Sequence, residues 1–341
     1  MGKENVVTNQ YISNPNIFAD MINFKVYQGE QIVKADDLRE LDVSLLAILE
    51  DGKVVKTIEK HRDVVKLWKV MSTEQVTYCI FGIENQSLIH YAMPVRTMLY
   101  DILQYQKQVD NIGDKHKNSN DYRGHSNGEF LSKFYKEDKL IPVITIVMYW
   151  GSESWDGPRS LKEMMIDVPE KLEPFFQDYK LFLIEPEMLQ EEELDLLQTD
   201  LKEVMSFMKY QRDKKKMKEL LQNTEKLKHL DANTAMVINS VTKLKIKINK
   251  EESEEVNMCQ AIDEMMEDSR LLGVDQGISQ GIEQGIEYTM INLIIKKMQK
   301  GKSVEIIAEE LEYEIQYITP IVSVVCQYAP EYDVDAIMKA L

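Results

Sequence analysis

The sequence predicts an α/β core followed by a helical region, and three observations carry that prediction. Short apolar runs with strand character crowd the first half of the chain, from Leu45 to Ile184. One of them, Ile141–Trp150, hardly alternates between apolar and polar residues, as expected of a strand covered on both faces. From about residue 188 onward the apolar spacing becomes helical and strand signals fade. At 341 residues the chain can hold one large or two medium domains. We expect a core over 1–190, a helical extension over 191–270, and a glycine-repeat helix with further helices over 271–341.

In chain order, residues 1–15 are polar and are expected to be ragged. Ile17, Phe18, Met21, Ile22 and Phe24 then share one side of an amphipathic helix from Pro15 to Tyr27. Leu45–Leu49 and Val54–Ile58 read as a hairpin closed at Asp51-Gly52, a dipeptide suited to tight turns. Two further apolar runs follow, one led by Asp63 (Val64-Val65-Lys66-Leu67-Trp68) and one from Val76 to Ile83. Val95, Met98, Leu99, Ile102, Leu103 and Val109 keep helical spacing, and Pro94 is tolerated in a first turn. Residues 110–129, rich in Asn, Gly, Ser and charge, read as a loop. Trp155-Asp156-Gly157-Pro158 predicts a turn with Trp155 packed beneath it. Ser160–Met165 predicts a short helix, and Leu181–Ile184 a strand ended by Pro186.

Further on, Gly273, Gly277, Gly281 and Gly285 recur every fourth residue. In a helix each costs about 1 kcal/mol relative to alanine. The pattern fits either a marginal helical linker or a seam through which C-terminal helices assemble a homo-oligomer. Ser303 is placed to cap a helix over 303–311, the first of a helix-turn-helix pattern. The segment after it, Glu314-Ile-Gln-Tyr-Ile, is poor in bases, which favours packing against protein over reading a DNA groove.

The formal net charge is −17, which argues against a nonspecific nucleic-acid coat protein. Its distribution is uneven, with eleven acids and one base in residues 251–287. Two basic patches stand out: six bases against one acid in 209–218, and Lys243, Lys245, Lys247 and Lys250. Either could meet phosphates or simply form a solvated face. The three cysteines are scattered and suggest neither a metal cluster nor a disulfide framework, so a reducing cytoplasm is the expected location. No run is apolar enough to span a bilayer, and the N-terminus lacks a signal peptide's apolar centre. Val6 stands where N-myristoylation wants a small hydroxyl residue.

The chemistry points to one place. The Val76–Ile83 run delivers Glu84-Asn85-Gln86 where its apolar pattern stops, and Asp63 lies 21 residues upstream at the head of a second run. A carboxylate at the lip of a buried strand needs a cation or hydrogen-bond donors. Two such carboxylates on adjacent antiparallel strands would suit a hard cation such as Mg²⁺. His61 and His90 flank the motif and are expected to be hydrogen-bonded side chains, since hard-cation chemistry does not require them. No Walker-type loop, His-Glu-x-x-His motif or nucleophile elbow occurs.

The stretch from Gly82 to Asp101, with Leu140–Gly151, Trp155–Leu161 and the glycine repeat, resembles the Rpn family of recombination-promoting nucleases. These are also labelled YhgA-like putative transposases and belong to the PD-(D/E)XK superfamily. The resemblance implies a restriction-endonuclease-like core, a mixed sheet flanked by helices. It also implies a nuclease site in which Asp63 and Glu84 bind Mg²⁺ (or Mn²⁺) with the backbone carbonyl of Asn85. Gln86 stands where the superfamily commonly has lysine. Glutamine can orient a water but cannot supply a positive charge. The family pattern often adds an acid from the first helix, for which Asp20 and Glu30 are the candidates. Arg96 is a candidate phosphate contact, or else a partner of Asp101 or another surface acid. The expected activity is phosphodiester hydrolysis of DNA linked to recombination or mobile elements, with RNA not distinguished. The alternative is a catalytically weak relative acting as a binding or oligomerising scaffold.

Overall fold

The computed structural model describes residues 3–41, 44–48, 57–61, 63–71, 76–119, 124–248 and 254–341. Helix α1 (Lys3–Ser13) replaces the ragged N-terminus expected from its polarity. Thr8, Tyr11 and Ile12 on it are buried, and tertiary packing gives this short, weakly amphipathic segment its structure. Helix α2 (Pro15–Tyr27) starts with Asn14 as N-cap and Pro15 in the first turn, and Ile17 to Phe24 are all buried. Strand β1 (Leu38–Glu40) follows. The expected hairpin is present as β2 (Ser44–Ile48) and β3 (Thr57–His61), although its Asp51-Gly52 turn lies outside the described residues. Strands β4 (Val64–Met71) and β5 (Val76–Gln86) are antiparallel.

Helix α3 (Met93–Ser119) runs ten residues past Val109, through a segment that reads as a loop. Its buried stripe is Met93, Thr97, Tyr100, Asp101 and Gln104, whereas Val95 and Ile102 are exposed. Gly113 does not end this helix. A Cβ there would lie 2.7 Å from the Cβ of Lys133, so the glycine admits the chain's return. Helix α4 (Asn127–Ser132) is started by a capping box between Ser126 and Glu129.

Strand β6 (Val143–Tyr149) pairs in parallel with β5 on one side and with β7 (Phe182–Ile184) on the other, as its unbroken apolar run predicts. Between them, the Ser160–Met165 segment is reduced to a single tight turn, Lys162–Met164. The main sheet is therefore mixed, in the order β1-β4-β5-β6-β7.

The helices that follow are α5 (Glu191–Leu194), α6 (Leu201–Tyr210), α7 (Lys214–Asn223) and α8 (Ala232–Val241). A two-residue strand pair, β8 (Leu230–Asp231) and β9 (Glu255–Val256), brackets α8. Helix α6 packs on α2 and α8, and α8 packs on α1. These contacts make Met1–Ile262 one compact unit, with Asp263–Leu341 a second. The sheet and the helices after residue 190 thus share one body.

Helix α9 (Met258–Met298) carries the glycine repeat. In the second unit its last turns pack with α10 (Val304–Leu311), α11 (Ile315–Gln327) and α12 (Val334–Ala340) around Ile291, Ile294, Ile307, Ile318, Val325 and Ile337. Ser303 takes the N-cap position of α10. Ile318 in the helix that follows is fully buried in this cluster, whereas Glu314 to Tyr317 are exposed.

Candidate metal-binding carboxylate site

Neighbouring strands bring the two acids together. In the β4–β5 register Val64 faces Ile83, and Asp63, in the bend just before β4, comes beside the Glu84-Asn85 end of β5. Glu84 points to the side of the sheet covered by α3, where it meets Arg96. The same side carries Val65, Ile80 and Tyr105 in one apolar cluster and Met93 and Val147 in another. The site lies at the carboxyl end of β5, beside the carboxyl end of its parallel neighbour β6, where Gln86 faces Tyr149.

Asp63 is half-buried and oriented by amides. Its Oδ2 accepts the backbone N–H of Asn85 at 2.7 Å, and its Oδ1 accepts the side-chain amide of Asn9 at 3.1 Å. Asn85 also donates from its side chain to Asn9 Oδ1 at 2.7 Å, and its own Oδ1 accepts the indole N–H of Trp150 at 2.8 Å. The result is a closed relay from Trp150 through Asn85 and Asn9 to Asp63. It spans β6, β5, α1 and the head of β4, and every member is set by a partner on another element.

Glu84 is fully buried. Its Oε2 lies 3.3 Å from Nη2 of Arg96, whose Nε donates to the Tyr100 hydroxyl at 3.1 Å. Burial works against the charge on Arg96, but Glu84, Tyr100 and Asp63 outweigh it and hold the guanidinium above its ordinary range. Burial raises the Tyr100 hydroxyl, with Glu84 and Asp63 adding to the rise and Arg96 opposing it. Both carboxylates therefore act on the same two side chains of α3. Of the two readings of Arg96, contact with Glu84 replaces pairing with Asp101. Asp101 instead accepts from Thr145 at 2.5 Å and from Tyr179 at 2.6 Å.

Gln86 is half-buried, two residues beyond Glu84 and on the same side by the strand's alternation. Its carbonyl accepts the backbone N–H of Trp150 at 2.7 Å. The two accessory acids fall elsewhere. Asp20 is buried in α2, and its carboxylate accepts the backbone N–H groups of Gln198 and Thr199 and the Thr199 hydroxyl, which ties α2 to the start of α6. Glu30 is exposed in the turn after α2. The contact from the first helix is an amide, Asn9, which reading for acids overlooks. Tyr100 and Trp150 were also missed as site residues, because an apolar periodicity shows them only as core. His90 departs from expectation, since its Nδ1 is buried with no hydrogen-bond partner among the described residues.

The donor chemistry fits a hard cation. A carboxylate oxygen has two lone-pair directions, and each oxygen of Asp63 has one taken by an amide. Asp63 and Glu84 offer only oxygen, as Mg²⁺ or Mn²⁺ requires. A second grouping of ligand-type side chains, His125, Glu129 and Glu137, lies on the surface around α4. Glu129 there is held by Ser126 and Lys136 backbone N–H groups, which bring its carboxyl down to about 2. The Trp155 turn forms as the sequence suggests. Trp155 is buried, its indole donates to the Gly157 carbonyl at 2.9 Å, and its backbone N–H donates to Glu185 at 2.7 Å.

Among the described residues no helix is long and apolar enough to cross a membrane. Searches of curated proteins and of solved structures each return no match. Residues 24–237 match the family model described as "Putative transposase, YhgA-like", a span that holds Asp63, Glu84, Gln86 and Arg96. By that match over more than half its length, the chain belongs to the YhgA-like putative transposase family.

Proposed function

We propose that this chain is a Mg²⁺-dependent endonuclease that hydrolyses phosphodiester bonds in DNA, in keeping with the mobile-element association of its family. The observation that carries the reading is that Asp63, just before β4, and Glu84, on β5, both act on Arg96 and Tyr100. Asp63, Glu84 and the Asn85 carbonyl would hold the cation. When bound, the cation supplies Lewis acidity toward the phosphate and lowers the pKa of its water.

The chain's own residues supply the rest. The Asn9–Asn85–Trp150 relay holds Asp63 in one orientation, so little reorganisation is needed when charge develops. Gln86 orients the attacking water through its amide. Arg96 pairs with Glu84 in a buried setting and, being about a third exposed, can turn toward a phosphate oxygen. The test is nicking of supercoiled plasmid. Full-length protein with Mg²⁺ should nick, EDTA should stop it, and Asp63→Ala and Glu84→Ala should each abolish it. Equal cutting by both variants and wild type would reject the assignment.

A second reading, an oligomerising scaffold, is favoured by one observation. Val274, Ile278, Ile282 and Ile286 form an exposed stripe on α9, each next to a glycine whose added Cβ would meet nothing within 4 Å. Such a stripe could seat a second copy of the chain.

A further inference from the structure

Beside Gln86 the chain builds a cleft that bond cleavage at Asp63 and Glu84 does not itself need. It encloses about 690 Å³ and begins at Ser87, the residue after Gln86. That volume falls within the range of ligand sites. Tyr149 and Trp150, both 2% exposed, form its floor. Through the bonds from Trp150 to Gln86 and Asn85, this floor is fixed to the strand that carries Glu84. Gly151 leaves room for the Tyr149 side chain in this floor, since a Cβ there would fall 2.1 Å from the Tyr149 hydroxyl.

The rim differs from the floor. Tyr91 is 60% and Leu88 80% exposed, and no core residue accounts for either. The Tyr91 hydroxyl donates to Asp156 at 2.9 Å, which holds the ring in place. The opposite wall is Val241, Thr242 and Lys243. Beyond it burial alternates, with Lys243, Lys245 and Lys247 exposed and Ile246 buried. Asn239 clamps Ile246 through both its N–H (3.2 Å) and its carbonyl (3.0 Å), so the lysines form a held row. The acid lining the cleft, Glu153, is ion-paired with Arg212. In the 209–218 patch Arg212, Lys215 and Lys216 are in surface ion pairs, Lys216 with Glu191 at 2.8 Å.

We propose that this cleft receives an unpaired nucleobase and Lys243 and Lys245 its neighbouring phosphates, so that the strand presented to Asp63 and Glu84 is single-stranded or locally melted DNA. This rests on the nuclease reading. An aromatic ring at the mouth binds any base through its face, and a base still stacked in a duplex could not enter. The hydroxyls of Ser87, Ser152 and Thr242 and the amide of Gln211 both donate and accept, which suits the polar edge of a base. Phosphates beside the lysines would make binding weaken as salt rises.

The experiment is fluorescence anisotropy of the full-length protein in EDTA, so that binding is separated from cutting. The probes are a labelled oligothymidylate and a duplex of equal length. The single strand should bind more tightly. Tyr91→Ala should weaken it about tenfold, Tyr91→Phe, which keeps the ring but loses the bond to Asp156, should bind more tightly than Tyr91→Ala, and Lys243→Gln should weaken binding and flatten its salt dependence. Circular dichroism melts would establish that the variants are folded. Unchanged affinity in Tyr91→Ala and Lys243→Gln, or equal or tighter binding of the duplex, overturns the cleft proposal. If wild type still nicks plasmid in that case, only the cleft fails. If wild type neither binds nor nicks, the nuclease reading fails with it.

Discussion

Glu84 is the residue on which the site's energetics turn. A fully buried carboxylate near a second acid is stable only with a compensating charge, and Arg96 on α3 provides it at 3.3 Å. Removing the two partners should therefore have opposite consequences. Arg96→Ala leaves a buried anion and should lower stability by about 1.5–3 kcal/mol in urea unfolding, the range for a hydrogen bond to a charged group. Glu84→Gln removes the charge that needs compensating and should be neutral or stabilising. If Arg96→Ala unfolds at the wild-type midpoint, some group other than Arg96 neutralises Glu84. Among the described residues Asp63 is held by amides, the Asn85 backbone N–H and the side chain of Asn9, the latter on the first helix, which was expected to offer an acid.

Among the elements, α3 and α9 show two opposite uses of glycine. In α3, Gly113 lies under the Lys133 side chain, with no room for a Cβ. Alanine there would gain about 1 kcal/mol of helix propensity, but the overpacking it forces typically costs 1–3 kcal/mol. Gly113→Ala should therefore lower the melting temperature, although the same change on an open helix surface raises it. A rise would mean that the turn after α4 yields freely. In α9 the four repeat glycines face open space, and every residue from Met266 to Thr289 is exposed. Nothing within the described chain accounts for the apolar stripe that accompanies them.

At the scale of the molecule, that stripe bears on assembly. Patches of this kind on a polar helix mark contact surfaces more often than single exposed leucines do. If α9 joins copies of the chain, Ile278→Asp with Ile282→Asp should lower the mass measured by light scattering while the helical content stays unchanged. The same mass for wild type and variant at every concentration would leave α9 a solvated helix. The first unit holds all the residues of the candidate site, from Asn9 to Trp150, and the cleft as far as Lys243. Assembly through the stripe and chemistry at the carboxylates can thus be tested separately.

Much of the core was legible in the chain itself. Patterning alone marked β4, β5 and β6 as strands, because runs such as Val143–Tyr149 have too little polarity to be anything but interior. The 21-residue spacing of Asp63 and Glu84 likewise allowed the antiparallel pairing seen in β4 and β5, since strand register follows from apolar alternation. Helix α1, the extension of α3 through Gly113 and the spent carboxylate of Asp20 were hidden. Each depends on a partner far along the chain: α8 for α1, Lys133 for Gly113, and Thr199 for Asp20. Local sequence determines which groups the chain has available and how often they recur. Which polar groups meet is decided only when distant segments pack, because a buried donor or acceptor must find its partner wherever the fold has put one.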